Sequence, residues 1–367
     1  MEPPDLWSRV VDADIAVRAP RVEVDGDADW WVIDGRRMFS FSVATKAGLR
    51  FEGQDRLLVD YRFDEVRPGS HLPEEHLRDN AADGVWASVL YPSVATILYG
   101  YDDTALVQRL ARVYNDWIAE WCSHDPTRLC GVAVLDVDDV DAAVAELERV
   151  RARGLRTALI PVSPPTERPY LDPAYDPLWA AAADLDMPLS LHIATNRPPD
   201  EWRTLWSQWG FQGADRFVRD SLAQMIFSGV FERHERLRVV SVEHEASWVP
   251  HFLARIDETY TQRTPREGWY RLSDDTLPSE LFRRNVMTSI IEDRHAVMFR
   301  DEIGVDLLMW GSDYPHAEST FPRSVELLDE MFAGVPDSDR AAITSANAAS
   351  LYGLEVPRVQ PQRSGAP

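Results

Sequence analysis

The sequence predicts an α/β fold built around a parallel β-sheet. From Val85 onward, short apolar runs typical of buried strands alternate with segments of helical spacing, which gives seven strand-then-helix units. Three of the apolar runs end in polar residues that can do chemistry, at the end of the strand where ligands gather in parallel sheets. Two architectures stay open, because an open doubly wound sheet can have seven strands whereas a closed (β/α) barrel needs eight.

The first strands and helices follow from hydrophobic spacing and from residues that begin or end helices. One face of the segment 103–122 carries apolar residues at helical spacing from Leu106 onward. Asp138 or Asp139 caps the next helix, and Gly154 ends it. The predicted strands of this half are 85–92, 129–135, 157–162 and 187–192, and the predicted helices are 73–82, 103–122, 138–153 and 173–185.

A long insertion at 195–220 interrupts the alternation. Its aromatic residues are Trp202, Trp206, Trp209 and Phe211. The insertion is predicted either to close over a substrate as a hydrophobic lid or to form a contact in a homodimer. Arg216 and Arg219 are expected to be surface residues rather than ligands of a substrate carboxylate. The remaining predicted strands are 237–244, 285–291 and 307–313, and the remaining helices are 221–235, 248–260, 294–302, 325–332 and 338–351.

This pattern divides the chain into three parts. Residues 1–70 are predicted to be an irregular N-terminal segment, punctuated by proline, with a small hairpin that begins at Trp30–Ile33. Residues 71–354 are predicted to form the sheet and its helices. Residues 355–367, which are rich in Pro, Gln and Ser, are predicted to be a disordered tail.

Composition and charge exclude several classes of partner and favour a small-molecule substrate. The 38 Lys and Arg residues against 61 Asp and Glu residues give a net charge of -23, which disfavours nucleic acid and anionic membranes. No apolar run approaches the length of a transmembrane helix, and the acidic N-terminus is unlike a signal peptide. Cys122 and Cys130 are expected to be two buried thiols rather than a disulfide, so a cytoplasmic location is predicted.

Three strand ends carry the candidate catalytic residues. The fourth, fifth and seventh predicted strands end in His192, in Glu243 with His244, and in Asp313. Imidazole and carboxylate ligands together suit a divalent metal such as Zn²⁺, or Mn²⁺ where oxygen ligands dominate. A bound metal lowers the pKa of its water toward about 7, and a second histidine nearby can move protons.

Each candidate also has a structural interpretation. His192 could only support a site, Glu243 and His244 could form a buried ion pair, and Asp313 could cap a loop. Their common position at the ends of three strands favours the functional interpretation. His316 is left open between lining the site and fixing its loop. The other histidines are predicted to be non-catalytic, and they are His71, His76, His124, His234, His251 and His295.

The last strand and the loop after it carry a family resemblance. Trp310–His316, followed by Glu318–Thr320 and Pro322, resembles the signature of the amidohydrolase-related branch of the amidohydrolase superfamily. Within this branch the chain is similar to aminocarboxymuconate-semialdehyde decarboxylase and the resorcylate decarboxylases, from Glu2 to about Leu354. Further matching stretches are Tyr114–Trp117, Asp125–Leu129, Tyr175–Trp179, Pro188–His192, Trp248–Pro250 and Asn347–Ala349 with Leu351–Gly353.

The resemblance implies a (β/α)8 TIM-like barrel of the metal-dependent hydrolase type that holds one divalent metal ion, Zn²⁺ in preference to Mn²⁺. It implies that His192 and Asp313 are metal ligands. Asp313 would also be a general base, and His244 would activate water or move a proton. The implied reaction is hydrolysis or non-oxidative decarboxylation of a small carboxylate or cyclic substrate. A metal-poor, inactive barrel that serves as a binding or partner subunit is the alternative.

The chain departs from the family at its start. The family's first strand carries His-x-His or Asp-x-His a few residues before a Glu-Pro-Pro-Asp-Leu-Trp stretch. Here Met1 directly precedes that stretch at Glu2–Trp7, and Asp12–Asp14 imitates the ligand motif in the wrong place. We therefore expect strand one and its ligands to be missing, either because the translation start was assigned too late or because the protein is metal-poor.

Overall fold

Seven parallel strands form the central sheet of the protein, and three more form a small antiparallel sheet near the N-terminus. In the computed structural model, residues 1–9, 13–273 and 275–356 are described. The strands are β1 (Arg21–Asp25), β2 (Ala28–Ile33), β3 (Arg36–Ser40), β4 (Ser88–Leu90), β5 (Leu129–Val134), β6 (Thr157–Ile160), β7 (Leu189–His192), β8 (Val239–Val242), β9 (Val286–Ile290) and β10 (Leu308–Trp310).

Strands β4 to β10 lie side by side in chain order, and each neighbouring pair is parallel. Parallel neighbours need a crossover, and helical segments supply each one, so the strands are covered by a layer of helices. This explains why β5 to β8 are largely apolar, since all of their residues are buried. The predicted α/β fold with seven strand-then-helix units is confirmed.

The sheet stays open between β4 and β10, which are not paired with each other in the part of the chain that the structure describes. Residues near the end of the described part of the chain pack against the sheet beside this opening. Tyr352 is buried against Cys130 and Val240 of the sheet, and Trp86 donates through Nε1 to the carbonyl oxygen of Glu355 at 2.9 Å. An eighth strand is not among the described residues, and the absence of strand one from the barrel stays a prediction.

Helix boundaries follow the capping residues that the sequence contains. Asp103 and Asp139 each accept a hydrogen bond from a backbone N–H in the first turn of the helix that follows. The α-helices are Ala13–Ala16, Pro73–Ala82, Thr104–Cys122, Val140–Ala152, Asp176–Asp184, Pro199–Leu205, Gln208–Phe211, Asp215–Phe227, Val230–Arg233, Val249–Glu267, Pro278–Asn285, Arg294–Met298, Arg300–Ile303, Ser324–Met331, Asp337–Ala341 and Asn347–Tyr352. None of the helices in the described ranges has the length and apolar character needed to cross a bilayer.

The last predicted helix, 338–351, is not continuous. A π-helical turn at Ala342–Ala346 separates two short α-helices. At the start of the second one, the Asn347 side-chain amide donates to the carbonyl oxygens of Val305 and Leu308, each at 2.8 Å. A side chain that binds backbone groups of β10 in this way fixes the rotation of the helix, and apolar spacing alone does not reveal it.

The N-terminal segment contains more structure than the single hairpin predicted at Trp30–Ile33. Strands β1, β2 and β3 form an antiparallel sheet. Strand β1, whose residues are largely exposed, was not predicted from the sequence. Trp7 donates through Nε1 to the Leu110 carbonyl at 3.2 Å, which joins the segment to the helices of the main sheet. Asp12 lies outside the described residues, and Asp14 is in a helical turn rather than a strand. Residues 357–367 of the predicted tail also lie outside the described residues.

Asn115 joins the helix Thr104–Cys122 to the end of β5. Its Oδ1 accepts from the Val134 N–H at 2.7 Å, and its Nδ2 donates to the Val134 carbonyl at 3.0 Å. The Asn115 side chain is fully buried. The backbone of Val134 therefore depends on this amide at a place where water cannot replace it.

We expect Asn115→Ala to lower the free energy of unfolding by about 2–4 kcal/mol, because it leaves buried backbone groups without their partner. Urea denaturation measures the change. Gln262→Ala, at an exposed position of the helix Val249–Glu267, is the control and should stay within about 0.5 kcal/mol of the wild type. A loss below about 1 kcal/mol for Asn115→Ala would contradict this account of β5.

Candidate functional site

A cavity of about 480 Å³ lies at the carboxyl ends of the strands and extends into the opening between β4 and β10. Near the strand ends its wall includes His192, Glu243, Asp313 and His316. This volume is typical of sites for small molecules. The aromatic and apolar part of the wall includes Trp86, Val89, Tyr91, Trp121, Trp310 and Tyr352.

His192 is the last residue of β7 and is almost fully buried. Its Nδ1 lies 2.7 Å from the carbonyl oxygen of Ile193, so Nδ1 carries the proton and donates. In the neutral ring, Nε2 then has the lone pair with which a histidine binds a metal. Burial opposes the charged ring, but the facing Glu243 carboxylate outweighs it and raises the pKa of His192. The ring of Tyr91 packs against the imidazole with the centroids 5.1 Å apart. His192 is held in one orientation and one tautomer.

Glu243 directly follows β8 and turns its carboxylate toward His192. Its Oε2 lies 3.4 Å from His192 Nε2. The register of β7 and β8 places His192 opposite Val242, and Glu243 then has a backbone φ of 59°, in the left-handed region that non-glycine residues rarely adopt. The Glu243 N–H donates to Oγ of Ser289 at 3.2 Å, which fixes this turn to β9.

Asp313 and His316 come from the loop that follows β10. His316 Nδ1 lies 3.0 Å from Asp313 Oδ1, and the His316 N–H donates to the Asp313 carbonyl at 2.9 Å. Asp313 also has a left-handed backbone, with φ 57°. His316 was left open between lining the site and fixing the loop, and in the structure it both lines the cavity and contacts Asp313.

The loop is anchored to the rest of the protein by Tyr314. Its hydroxyl donates to Oδ2 of Asp79 at 2.6 Å. Asp79 also accepts two hydrogen bonds from the Arg67 guanidinium, both at 2.6 Å. A tyrosine between Asp313 and His316 on the chain thus connects the candidate site to the helix Pro73–Ala82.

The four ionisable groups at the strand ends strongly affect one another. Burial and the neighbouring charge of Glu243 raise the pKa of Asp313 to about 7. Burial opposes the charged form of Glu243, but the facing His192 outweighs it and holds the pKa of Glu243 well below its usual range. Burial also disfavours the charged form of His316, yet the Asp313 carboxylate outweighs it and raises the pKa of His316 to about 9. Two carboxylates this close are difficult to ionise together without positive charge beside them.

His244 does not belong to the cavity wall formed by the described residues. Burial and the positive charge of His192 lower the pKa of His244 to about 3, so its ring is neutral near pH 7. Its Nδ1 lies 3.2 Å from Oγ of Ser241, and its buried Nε2 has no hydrogen-bond partner among the described residues. The structure therefore brings His192 and Asp313 to one cavity, whereas the proton-shuttle role of His244 stays a prediction.

Of the histidines predicted to be non-catalytic, His76 is the one that lines the cavity among the described residues. His76 reaches the cavity wall, but its ring nitrogens are engaged with the Gly69 carbonyl and Ser88 Oγ. The insertion 195–220 contributes no described residue to that wall, and neither do Arg216 and Arg219. The lid and the dimer contact both stay predictions. The exposed aromatic residues of the insertion are Trp206, Trp209 and Phe211.

The side chains present fit one divalent metal ion. The ligand atoms of Glu243, Asp313 and His316 all lie within 4.8 Å of one another. His192 is outside that group, but its ring contacts the Glu243 carboxylate. Two ligands about 2.1 Å from a tetrahedral ion are about 3.4 Å apart, which matches the 3.4 Å between His192 Nε2 and Glu243 Oε2. Imidazole and carboxylate donors in this mixture suit Zn²⁺ or Mn²⁺.

Comparison with known sequences gives a consistent result. A model of the amidohydrolase family matches residues 24–354. Gamma-resorcylate decarboxylase from a Rhizobium species is 27% identical over 271 residues, which cover 67% of this chain and 76% of the relative. The 2-amino-3-carboxymuconate-6-semialdehyde decarboxylase of Dictyostelium discoideum is 24% identical over 309 residues, which cover 82% of each chain.

Solved structures share the fold. An amidohydrolase from Mycobacterium avium subsp. paratuberculosis superimposes with a TM-score of 0.79 at 24% identity, over 96% of both chains. A dihydroxybenzoic acid decarboxylase from a Polaromonas species, with bound manganese and the inhibitor 2-nitroresorcinol, gives a TM-score of 0.62 at 22% identity. That match covers 77% of this chain and 86% of the other.

We expect Tyr314→Phe to lower the free energy of unfolding by about 1.5–3 kcal/mol, because it removes a hydrogen bond to a charged, half-buried Asp79. Hydrogen exchange should also become faster at the backbone of the loop after β10. Tyr270→Phe is the matched control, since its hydroxyl donates to the carboxylate of Glu232 at an exposed site. Equal effects in the two variants would refute the anchoring role of Tyr314.

Proposed function

The chain belongs to the amidohydrolase family, and from this premise we propose that it is a metal-dependent, non-oxidative decarboxylase of a hydroxylated aromatic carboxylate. The observation that carries the proposal is the convergence of His192, Glu243, Asp313 and His316 at one end of a cavity with aromatic walls. The reaction class is supported by the relatives, which include decarboxylases of resorcylate and of a carboxymuconate semialdehyde.

One divalent ion, Zn²⁺ or Mn²⁺, would be held by His192 and Asp313, and when bound it would supply positive charge for a substrate carboxylate or phenolate oxygen. The protein's own groups handle the proton. Asp313 and His316, in contact at 3.0 Å, would deliver a proton to the ring carbon that bears the carboxylate. The bond from that carbon to the carboxylate then breaks, its electron pair stays with the ring, and CO₂ leaves.

The wall of the cavity suits a planar aromatic substrate. Tyr91 and Trp310 provide flat apolar surfaces near the strand ends, and such surfaces hold an aromatic ring by offset or edge contacts. The Tyr91 ring is itself fixed, because its hydroxyl lies 2.9 Å from Ser190 Oγ. A cavity of about 480 Å³ has room for a substituted benzoate.

His244 would act from outside the cavity wall, without contacting the substrate. Its neutral ring and its buried Nε2 without a described partner leave it able to accept a hydrogen bond from a water molecule. We propose that it returns protons to the Asp313–His316 pair between turnovers. Cytoplasmic location and homodimer formation stay predictions of the sequence.

Hydrolysis is the second candidate, because the same metal and proton carriers can activate water against an amide or lactone. The relatives favour decarboxylation over it. The cavity itself disfavours a non-catalytic binding subunit, because a binding role does not require four ionisable side chains to converge in one buried cavity.

The purified protein, supplied with Mn²⁺ or Zn²⁺, should release CO₂ from at least one of a panel of hydroxybenzoates. In D₂O the product should carry deuterium at the carbon that lost the carboxylate. Asp313→Asn should lower kcat by at least about 100-fold, because it removes a group that both holds the metal and carries the proton. Asp306→Asn, an exposed residue just before β10, is the control and should leave kcat unchanged.

Two outcomes would overturn the proposal. One is hydrolysis of amides or lactones without any release of CO₂ from the carboxylates. The other is equal turnover by Asp313→Asn and the wild type.

A further inference from the structure

Among the four ionisable side chains that meet at the strand ends, His192, Glu243, Asp313 and His316, Glu243 is the one to which the reaction proposed above gives no role. It is largely buried, and its described ion pair is with His192 rather than with a lysine or arginine. A buried carboxylate without a strong cation beside it is unfavourable. We propose that Glu243 is a third protein ligand of the metal ion, an inference that rests on the metal-dependent function proposed for this site.

The geometry supports direct binding. The ligand atoms of Glu243, Asp313 and His316 form one group within 4.8 Å, so a single ion can reach all three after small side-chain rotations. Glu243 Oε2 is also 3.4 Å from His192 Nε2, which is about the separation of two ligands on one tetrahedral ion. Glu243 therefore stands between the two predicted ligands, within reach of both.

The charges support the same conclusion. Glu243 and Asp313 interact directly although they come from different strands and are both largely buried. Two facing carboxylates repel each other unless a proton or a cation lies between them. A divalent ion removes this repulsion, and each carboxylate then gains a favourable contact. The imidazoles of His192 and His316 lie on either side of the pair.

The number of ligands is also explained. A catalytic zinc site normally has three protein ligands and one open position, and His192 with Asp313 supplies only two. Glu243 at the end of β8 provides the third from within the described sheet. A second carboxylate makes the site richer in oxygen, so Mn²⁺ should bind along with Zn²⁺.

The experiment compares metal affinity in the wild type, Glu243→Gln and Glu245→Gln by calorimetric titration of the chelator-treated proteins with Mn²⁺ and Zn²⁺. Glu245 is the matched control, because it is two residues away, has φ 53° and is also partly buried, but it binds the Ile291 N–H. We expect Glu243→Gln to weaken Mn²⁺ binding by at least about 100-fold, beyond the usual effect of residues that only support a ligand. Glu245→Gln should bind as the wild type does.

A second variant distinguishes direct metal binding by Glu243 from a role in which Glu243 only supports another ligand. The same variant provides the test if Glu243→Gln does not fold. Glu243→His replaces the oxygen donor by nitrogen, so it should retain Zn²⁺ and lose Mn²⁺. Wild-type affinity in Glu243→Gln, or an unchanged preference between the two metals in Glu243→His, would overturn the inference alone. A wild type that binds neither metal would overturn the proposed function as well.

Discussion

The contact between the buried carboxylates of Glu243 and Asp313 is the constraint on which the rest of the site depends. It is unfavourable by itself, because both groups are largely buried and carry the same charge. The parallel sheet nevertheless imposes it, since β8 and β10 have the same direction and end at the same mouth of the sheet. His192 and His316 provide positive charge on either side. An ion between the carboxylates is the simplest way to make the whole arrangement stable.

The same constraint explains local features of the fold. Glu243 and Asp313 both adopt left-handed backbone conformations that ordinary residues avoid. Ser289 of the neighbouring strand holds the first turn, and the hydrogen bond from Tyr314 to Asp79 of the helix Pro73–Ala82 anchors the loop that contains the second. The surrounding contacts hold both acidic residues in this unfavourable backbone geometry, and they thereby fix the positions of the two carboxylates.

Much of this could be predicted from the sequence, because strands and helices leave local patterns. The alternation after Val85 indicated a parallel sheet, and the polar residues at the ends of β7 and β8 and after β10 indicated where chemistry would occur. The partners of those residues depend on register and loop geometry, which spacing does not encode. A buried ion pair of Glu243 and His244 was the structural alternative, but the described ion pair of Glu243 is with His192 on the adjacent strand. The sequence signal for Glu243 was its position next to the candidate residue His244 at a strand end.

A direct test of the metal centre is X-ray diffraction from crystals of the protein loaded with Mn²⁺, recorded near the manganese absorption edge. The account predicts one strong anomalous peak in the cavity, within about 2.2 Å of carboxylate oxygens of both Glu243 and Asp313. A peak at another place on the protein, or a cavity without a peak in protein that binds Mn²⁺ in solution, would contradict it.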